Sequence, residues 1–73
     1  MRVTAEQQHN AGIKLQAIAD EYREINPALD NKLALKIAIM TNPNLAERYL
    51  GYAVRHDARD EGLRFLINYR APL

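Results

Sequence analysis

Apolar residues recur at spacings of three and four along this chain, and no stretch alternates apolar with polar residues as a half-buried strand does. The clearest run holds Ala11, Leu15, Ile18, Tyr22 and Ile25, which fall on one side of a helix. Valine and threonine, two of the residues that favour sheets, occur only twice each. The sequence therefore predicts an all-α fold.

The chain is short and contains no cysteine, which restricts how it can be stabilised. A chain of 73 residues has room for one hydrophobic core. Without cysteine it forms neither disulfides nor cysteine-ligated zinc sites. Its hydrophobic fraction of 48% lies in the globular range rather than the disordered one. We therefore expect a single helical domain over residues 1–73, held together by packing.

Capping residues and prolines predict where the helices begin. Thr4 is followed three residues later by Gln7, the pattern of a capping box. Asn26 and Asn42 each precede a proline, and an asparagine cap with proline in the first turn also starts a helix. The predicted helices are Thr4 to Ile25, Pro27 to Thr41, Pro43 to about His56, and Ala58 to about Tyr69. Gly51 falls on the solvated side of the third helix.

The charged stretch from Arg55 to Glu61 interrupts the apolar pattern. We expect a helix break there, with Asp57 or Asp60 capping the last helix. One long helix from Pro43 to Tyr69 is the alternative, because Gly62 costs only about 1 kcal/mol inside a helix. With short connections, the sequence predicts a small antiparallel bundle of four helices, or of three.

The second helix is apolar on two faces. One face carries Leu29, Leu33, Ile37 and Met40, whereas Leu35 and Ile39 point in roughly the opposite direction. A chain of this size has little material to cover both faces, and a two-fold dimer is the commonest way to cover the second. Leu35 and Ile39 are therefore the predicted self-association residues of a homodimer.

The residues that usually carry catalysis are scarce. The chain has no serine, no glycine-rich phosphate loop, and no second histidine at metal-ligand spacing from His9 or His56. We interpret His56 as a helix-terminal histidine and His9 as a solvated residue of the first helix. The sequence predicts a non-enzymatic protein with no catalytic residues, no cofactor and no metal.

One stripe of residues has the composition of a binding surface. Arg48, Tyr52, Arg55 and Arg59 are spaced four, three and four, which would place them along one edge of a helix. Tyrosine and arginine are enriched in the residues that dominate protein interfaces. The same groups could contact phosphates and stack on a base. We therefore predict that these four residues bind a partner.

A formal net charge of +1 gives no bulk attraction to nucleic acid, so a protein partner is favoured. We expect a dimeric regulator or inhibitor that binds a larger intracellular protein. The alternative is a small dimeric nucleic-acid-binding regulator that uses the same arginine and tyrosine edge. No secretory signal or membrane-spanning run is evident in the sequence, which predicts a cytoplasmic protein without a membrane partner. Size alone suggests an accessory protein of bacteria or phages.

Overall fold

The computed structural model describes residues 2–72, which contain four α-helices and no strand. The helices are α1 (Ala5–Ile25), α2 (Asn31–Thr41), α3 (Pro43–Leu50) and α4 (Arg59–Asn68). The predicted all-α class is confirmed. Residues 51–58 are not helical, so the described chain has four helices rather than three.

The capping box at the start of α1 is confirmed. The backbone N–H of Gln7 donates to Thr4 Oγ1, and the backbone N–H of Thr4 donates to Gln7 Oε1, both at 3.1 Å. The first bond satisfies one of the N–H groups that a helix start leaves without an intrahelical partner, and the second satisfies the N–H of the cap residue itself. The box therefore fixes the first turn of α1.

The predicted start of the second helix at Asn26-Pro27 is wrong. Asn26 is the C-cap of α1, and Asp30 is the N-cap of α2. The Asp30 carboxylate accepts a hydrogen bond from Leu33 N–H at 2.8 Å, whereas Asn26 Oδ1 accepts from Ala28 N–H at 3.1 Å. Asn26 thus shapes a turn, and the aspartate four residues later caps the helix.

The third helix is shorter than predicted because it ends at a glycine. Gly51 has a φ of +81°, in the left-handed region, and its N–H donates to Glu47 O at 2.8 Å. A residue with a Cβ pays roughly 1–2 kcal/mol in this conformation, so glycine is the usual residue at such a helix end. The prediction that helix three reaches His56 with Gly51 inside it is therefore wrong.

The N-cap residues of α3 and α4 form no side-chain hydrogen bond to the first turn of their helices. Asn42 is the N-cap of α3, as predicted, yet its Nδ2 donates backwards to Ala38 O at 3.0 Å. Ala58 is the N-cap of α4, so the prediction of Asp57 or Asp60 is wrong. The Asp57 carboxylate instead accepts from Arg55 Nε at 2.8 Å.

The core lies where α2 contacts the other three helices. Leu15 and Ile37 are its largest fully buried side chains. Alanines between them allow the helix backbones to approach closely, so the core is built from few large residues. The buried cluster consists of Leu15, Ala19, Leu29, Ala34, Ile37, Ala38 and Leu66.

The second apolar face of α2 is covered within a single chain. Leu35 and Ile39 are half-buried and pack against the same core cluster. The expectation that this face stands free is therefore wrong, because the other helices already shield it. A homodimer through Leu35 and Ile39 stays a prediction, with less apolar surface to bury than the sequence indicated.

The last helix, α4, runs antiparallel to α2. Gly62, in the first turn of α4, lies against Met40 and Thr41 at the end of α2. At the other end of α4, Asn26 Nδ2 donates to the carbonyl oxygens of Leu66 and Tyr69 at 2.8 and 3.0 Å. The turn after α1 is thereby tied to the C-terminal end of α4. Within residues 2–72, no helix combines the length and hydropathy that crossing a bilayer requires.

Candidate functional site

The structure places the four predicted partner-binding residues on three different segments. Arg48 lies in the last turn of α3, Tyr52 and Arg55 lie in the loop of residues 51–58, and Arg59 is the first residue of α4. All four are exposed, and Tyr52 retains 60% of its accessible surface. They do not form the continuous helical edge that the spacing predicted, because Gly51 ends α3. We call these four residues the arginine–tyrosine surface.

The loop that carries Tyr52 and Arg55 is held by Glu47. Oε2 of the Glu47 carboxylate accepts a hydrogen bond from Val54 N–H at 3.1 Å and lies 3.2 Å from His56 Nε2. The hydrogen bonds from His56 and then from Val54 lower the pKa of Glu47. His56 is therefore a loop anchor, and its interpretation as a helix-terminal histidine is wrong.

Part of the positive charge on the loop is balanced locally. Arg55 Nε lies 2.8 Å from Asp57 Oδ1, with both side chains mostly exposed. The hydrogen bond between the two side chains, and then the attraction between their charges, raises the pKa of Arg55 and lowers that of Asp57. An exposed pair of this kind adds little stability, and it reduces the charge that Arg55 offers to a phosphate.

Arg48 has a basic neighbour that the sequence did not reveal. A small polar cleft of about 240 Å³ between α1 and α3 is lined by Arg48 and Lys14, together with Gln7 and Asn10. Lys14 lies on a different helix from Arg48, so no local spacing pattern joins them. The cleft brings two cations and two amide side chains to one side of the molecule.

A groove with a largely apolar lining lies between α2 and α4. It has a volume of about 450 Å³. Its lining residues are Leu33, Lys36, Ile37, Met40, Glu61, Arg64, Phe65 and Asn68. We call this feature the α2–α4 groove.

The groove follows from how α4 packs on α2. At one end Gly62 has no side chain and lets the two helices touch, whereas further along Phe65 lines the groove opposite residues of α2. Phe65 is 41% exposed, and its ring centroid lies 5.1 Å from that of Tyr69. Tyr69 is half-buried against the core and contacts the Phe65 ring. Phe65 thus contacts Tyr69 and stays partly open to solvent.

Sequence reasoning missed the groove because its two walls come from distant segments. The positions of Met40 and Phe65 on their own helices are visible in the sequence, but the side of α2 on which α4 packs is not. The signal that could have pointed to it is Gly62, since a glycine inside a helix often marks close contact with a neighbour. Within residues 2–72, no group of three or more histidine, cysteine, aspartate or glutamate side chains is placed to hold a metal ion.

Fold and site together define a small all-α protein with an apolar groove between two antiparallel helices. Comparisons with protein-family models, with curated proteins and with solved structures found no match to this chain.

Proposed function

We propose that this chain is a non-enzymatic interaction protein that binds a partner protein through the α2–α4 groove. The observation that carries the proposal is the partly open Phe65 ring, set among Leu33, Ile37 and Met40 in one apolar groove. Concave apolar surfaces with a central aromatic residue and a polar rim are typical of protein-binding sites. A regulator or inhibitor of a larger protein needs no other chemistry than such a surface.

The arginine–tyrosine surface is proposed as a second contact region for the same partner. Tyr52 and Arg48 are exposed and belong to the residue types that interfaces favour. Because Glu47 holds the loop through Val54 and His56, Tyr52 is presented from an ordered segment rather than a free one. An ordered loop loses less conformational entropy when it binds.

A nucleic-acid-binding regulator is the second proposal. The observation that favours it is the cleft in which Lys14 joins Arg48, since two neighbouring cations suit a phosphate backbone. Tyr52 would then stack on a base. Binding of this kind weakens steeply with salt, and Arg48→Ala should reduce the slope of log affinity against log salt by about one unit. A groove-centred protein contact should show a much smaller salt dependence.

The two proposals are separated by affinity capture from a bacterial lysate, with and without nuclease. The native chain is compared with Phe65→Lys and with Ile67→Lys. Ile67 is the matched control because it lies on the same helix, is 65% exposed, and does not line the groove. We expect the native chain to capture one protein in stoichiometric amount, with or without nuclease. Ile67→Lys should capture the same protein, and Phe65→Lys should not.

Two outcomes would contradict the groove proposal. Equal recovery by Phe65→Lys and Ile67→Lys would show that the partner binds elsewhere. Loss of all captured material on nuclease treatment would favour the nucleic-acid proposal. Circular dichroism of each variant establishes that the chain is still helical.

A further inference from the structure

We infer that the α2–α4 groove binds an amphipathic helix whose apolar stripe is flanked on both sides by acidic residues. This inference rests on the proposed function and names the chemical class of its partner. It is carried by the shape of the groove, by the state of the backbone in its walls, and by the placement of three charged side chains along its rim.

The walls of the groove suit a helix better than an extended peptide. Both walls are α-helices, whose interior N–H and C=O groups are paired within each helix. An extended peptide gains affinity by adding main-chain hydrogen bonds to a sheet edge, and the described residues contain no strand. A helix satisfies its own backbone and needs only an apolar surface to bury.

The length of the groove matches a short helical stripe. Leu33 and Met40 lie seven residues apart along the α2 wall, and the fully buried Ile37 lies between them at the base of the groove. From Leu33 to Met40 the wall measures about 10 Å, at 1.5 Å per residue, which is two helical turns. An occupant would therefore place apolar residues at positions i, i+3 or i+4, and i+7 over Phe65.

The rim determines which charges the occupant carries. Lys36 lies on the α2 wall and Arg64 on the α4 wall, and neither forms an ion pair with another described residue. One cation on each wall favours an acidic residue on each flank of the stripe. Glu61 lies near the end of the groove where α4 begins, and it favours a basic residue at that end of the occupant, which fixes its direction.

A second copy of this chain fits the groove less well. Two-fold packing of one groove on another would bring together four cations, two from Lys36 and two from Arg64. Only two carboxylates, both from Glu61, would be there to balance them. Like charges facing each other disfavour association. The rim therefore argues for a partner of opposite charge rather than for a homodimer at this surface.

The experiment is a selection from a displayed library of helical peptides, randomised in both stripe and flanks, against the full chain. Phe65→Lys serves for counter-selection. We expect the enriched peptides to carry an apolar stripe with glutamate or aspartate on both flanks. Enrichment of basic or uncharged flanks would overturn the inference, and so would a selection that yields no peptide enriched over Phe65→Lys.

A charge reversal sharpens the test. In Lys36→Glu with Arg64→Glu, the selected acidic peptide should bind at least about tenfold more weakly, and its basic-flanked counterpart should bind better. Lys32→Glu is the control, because Lys32 is an exposed residue of α2 that does not line the groove. An equal loss in Lys32→Glu would show a general charge effect and overturn the inference.

The outcomes distinguish this inference from the proposed function. If no displayed peptide depends on Phe65 but the captured partner does, the groove binds protein and only the acidic helix is wrong. If neither depends on Phe65, both fail. Sedimentation equilibrium that shows a dimer abolished by Phe65→Lys would identify the occupant as a second copy, which also overturns the inference.

Discussion

Gly62 of α4 lies so close to Thr41 of α2 that a Cβ atom added at Gly62 would stand 3.0 Å from Thr41 Cγ2. The same atom would stand 3.2 Å from Met40 Cβ, which is fixed to the backbone of α2 and cannot rotate away. Gly62 therefore sets the distance between the two helices that form the groove.

Replacing Gly62 with alanine should destabilise the protein even though alanine is the better helix former. The gain in helix propensity is about 1 kcal/mol, whereas forcing an extra methyl group into a close contact costs about 1–3 kcal/mol. Urea denaturation measures the net change. Gly12→Ala is the control, because its Cβ would meet only the Tyr49 ring, at 3.1 Å, and a half-buried ring can shift. An equal loss of stability in the two variants would contradict this explanation.

Asn26 should be among the polar residues on which the fold depends most. Its amide donates to Leu66 O and Tyr69 O, and it is buried at 9% exposure. Asn26→Ala removes the donor to the buried Leu66 O and one of the two donors to Tyr69 O, which also accepts from Arg70 Nη1. We expect a loss of about 1–3 kcal/mol in the free energy of unfolding. Asn26→Asp keeps the hydrogen bond from Ala28 N–H but removes the N–H donors to Leu66 O and Tyr69 O. It should therefore be as destabilising as Asn26→Ala. A stable Asn26→Asp variant would show that the turn alone matters.

The loop of residues 51–58 should loosen in acid. Hydrogen bonds from His56 and Val54 hold the pKa of Glu47 below 4.5, the ordinary value for a glutamate. Because the pKa of Glu47 is lower in the folded state, the stabilisation is complete when the pH is above the ordinary pKa. It is lost as the pH falls through the lower pKa of the folded state. The protection factor of Val54 N–H, which compares its hydrogen-exchange rate with that of an unfolded peptide at the same pH, should therefore fall below about pH 4.5. Glu47→Gln should remove that pH dependence, and an unchanged profile in Glu47→Gln would contradict the assignment.

The double substitution Leu35→Lys with Ile39→Lys tests how the second face of α2 is covered. Both side chains pack against the core of their own chain, so we expect the variant to lose its cooperative thermal transition. A homodimer formed through this face would instead dissociate into folded monomers. Circular dichroism together with sedimentation equilibrium separates the two results.

Local sequence signals predicted the fold class and several helix ends, and they failed where a side chain had two uses. The capping box of Thr4 and Gln7 was predictable because both its bonds lie within one turn. Asn26 before a proline looked like a helix N-cap, but its amide donates to the carbonyl oxygens of Leu66 and Tyr69, which are 40 and 43 positions away in the chain. Gly51 could have been recognised as a helix end, since glycine is common in the left-handed position.

The predicted binding stripe depended on one helix continuing past Gly51. Once α3 ends there, Arg48 and Tyr52 belong to different segments, and regular spacing no longer places them on one face. The groove required a different kind of knowledge. Phe65 and Met40 meet only because α4 packs antiparallel on α2, and that relation between distant helices is tertiary.

We propose that Phe65 and the α2–α4 groove bind a partner protein. The direct measurement is isothermal titration of the captured partner with the native chain, Phe65→Lys and Ile67→Lys. We expect Phe65→Lys to weaken binding by at least about 30-fold, the loss typical of a central interface residue, while Ile67→Lys stays within about twofold. Equal affinity of Phe65→Lys and the native chain would contradict the account.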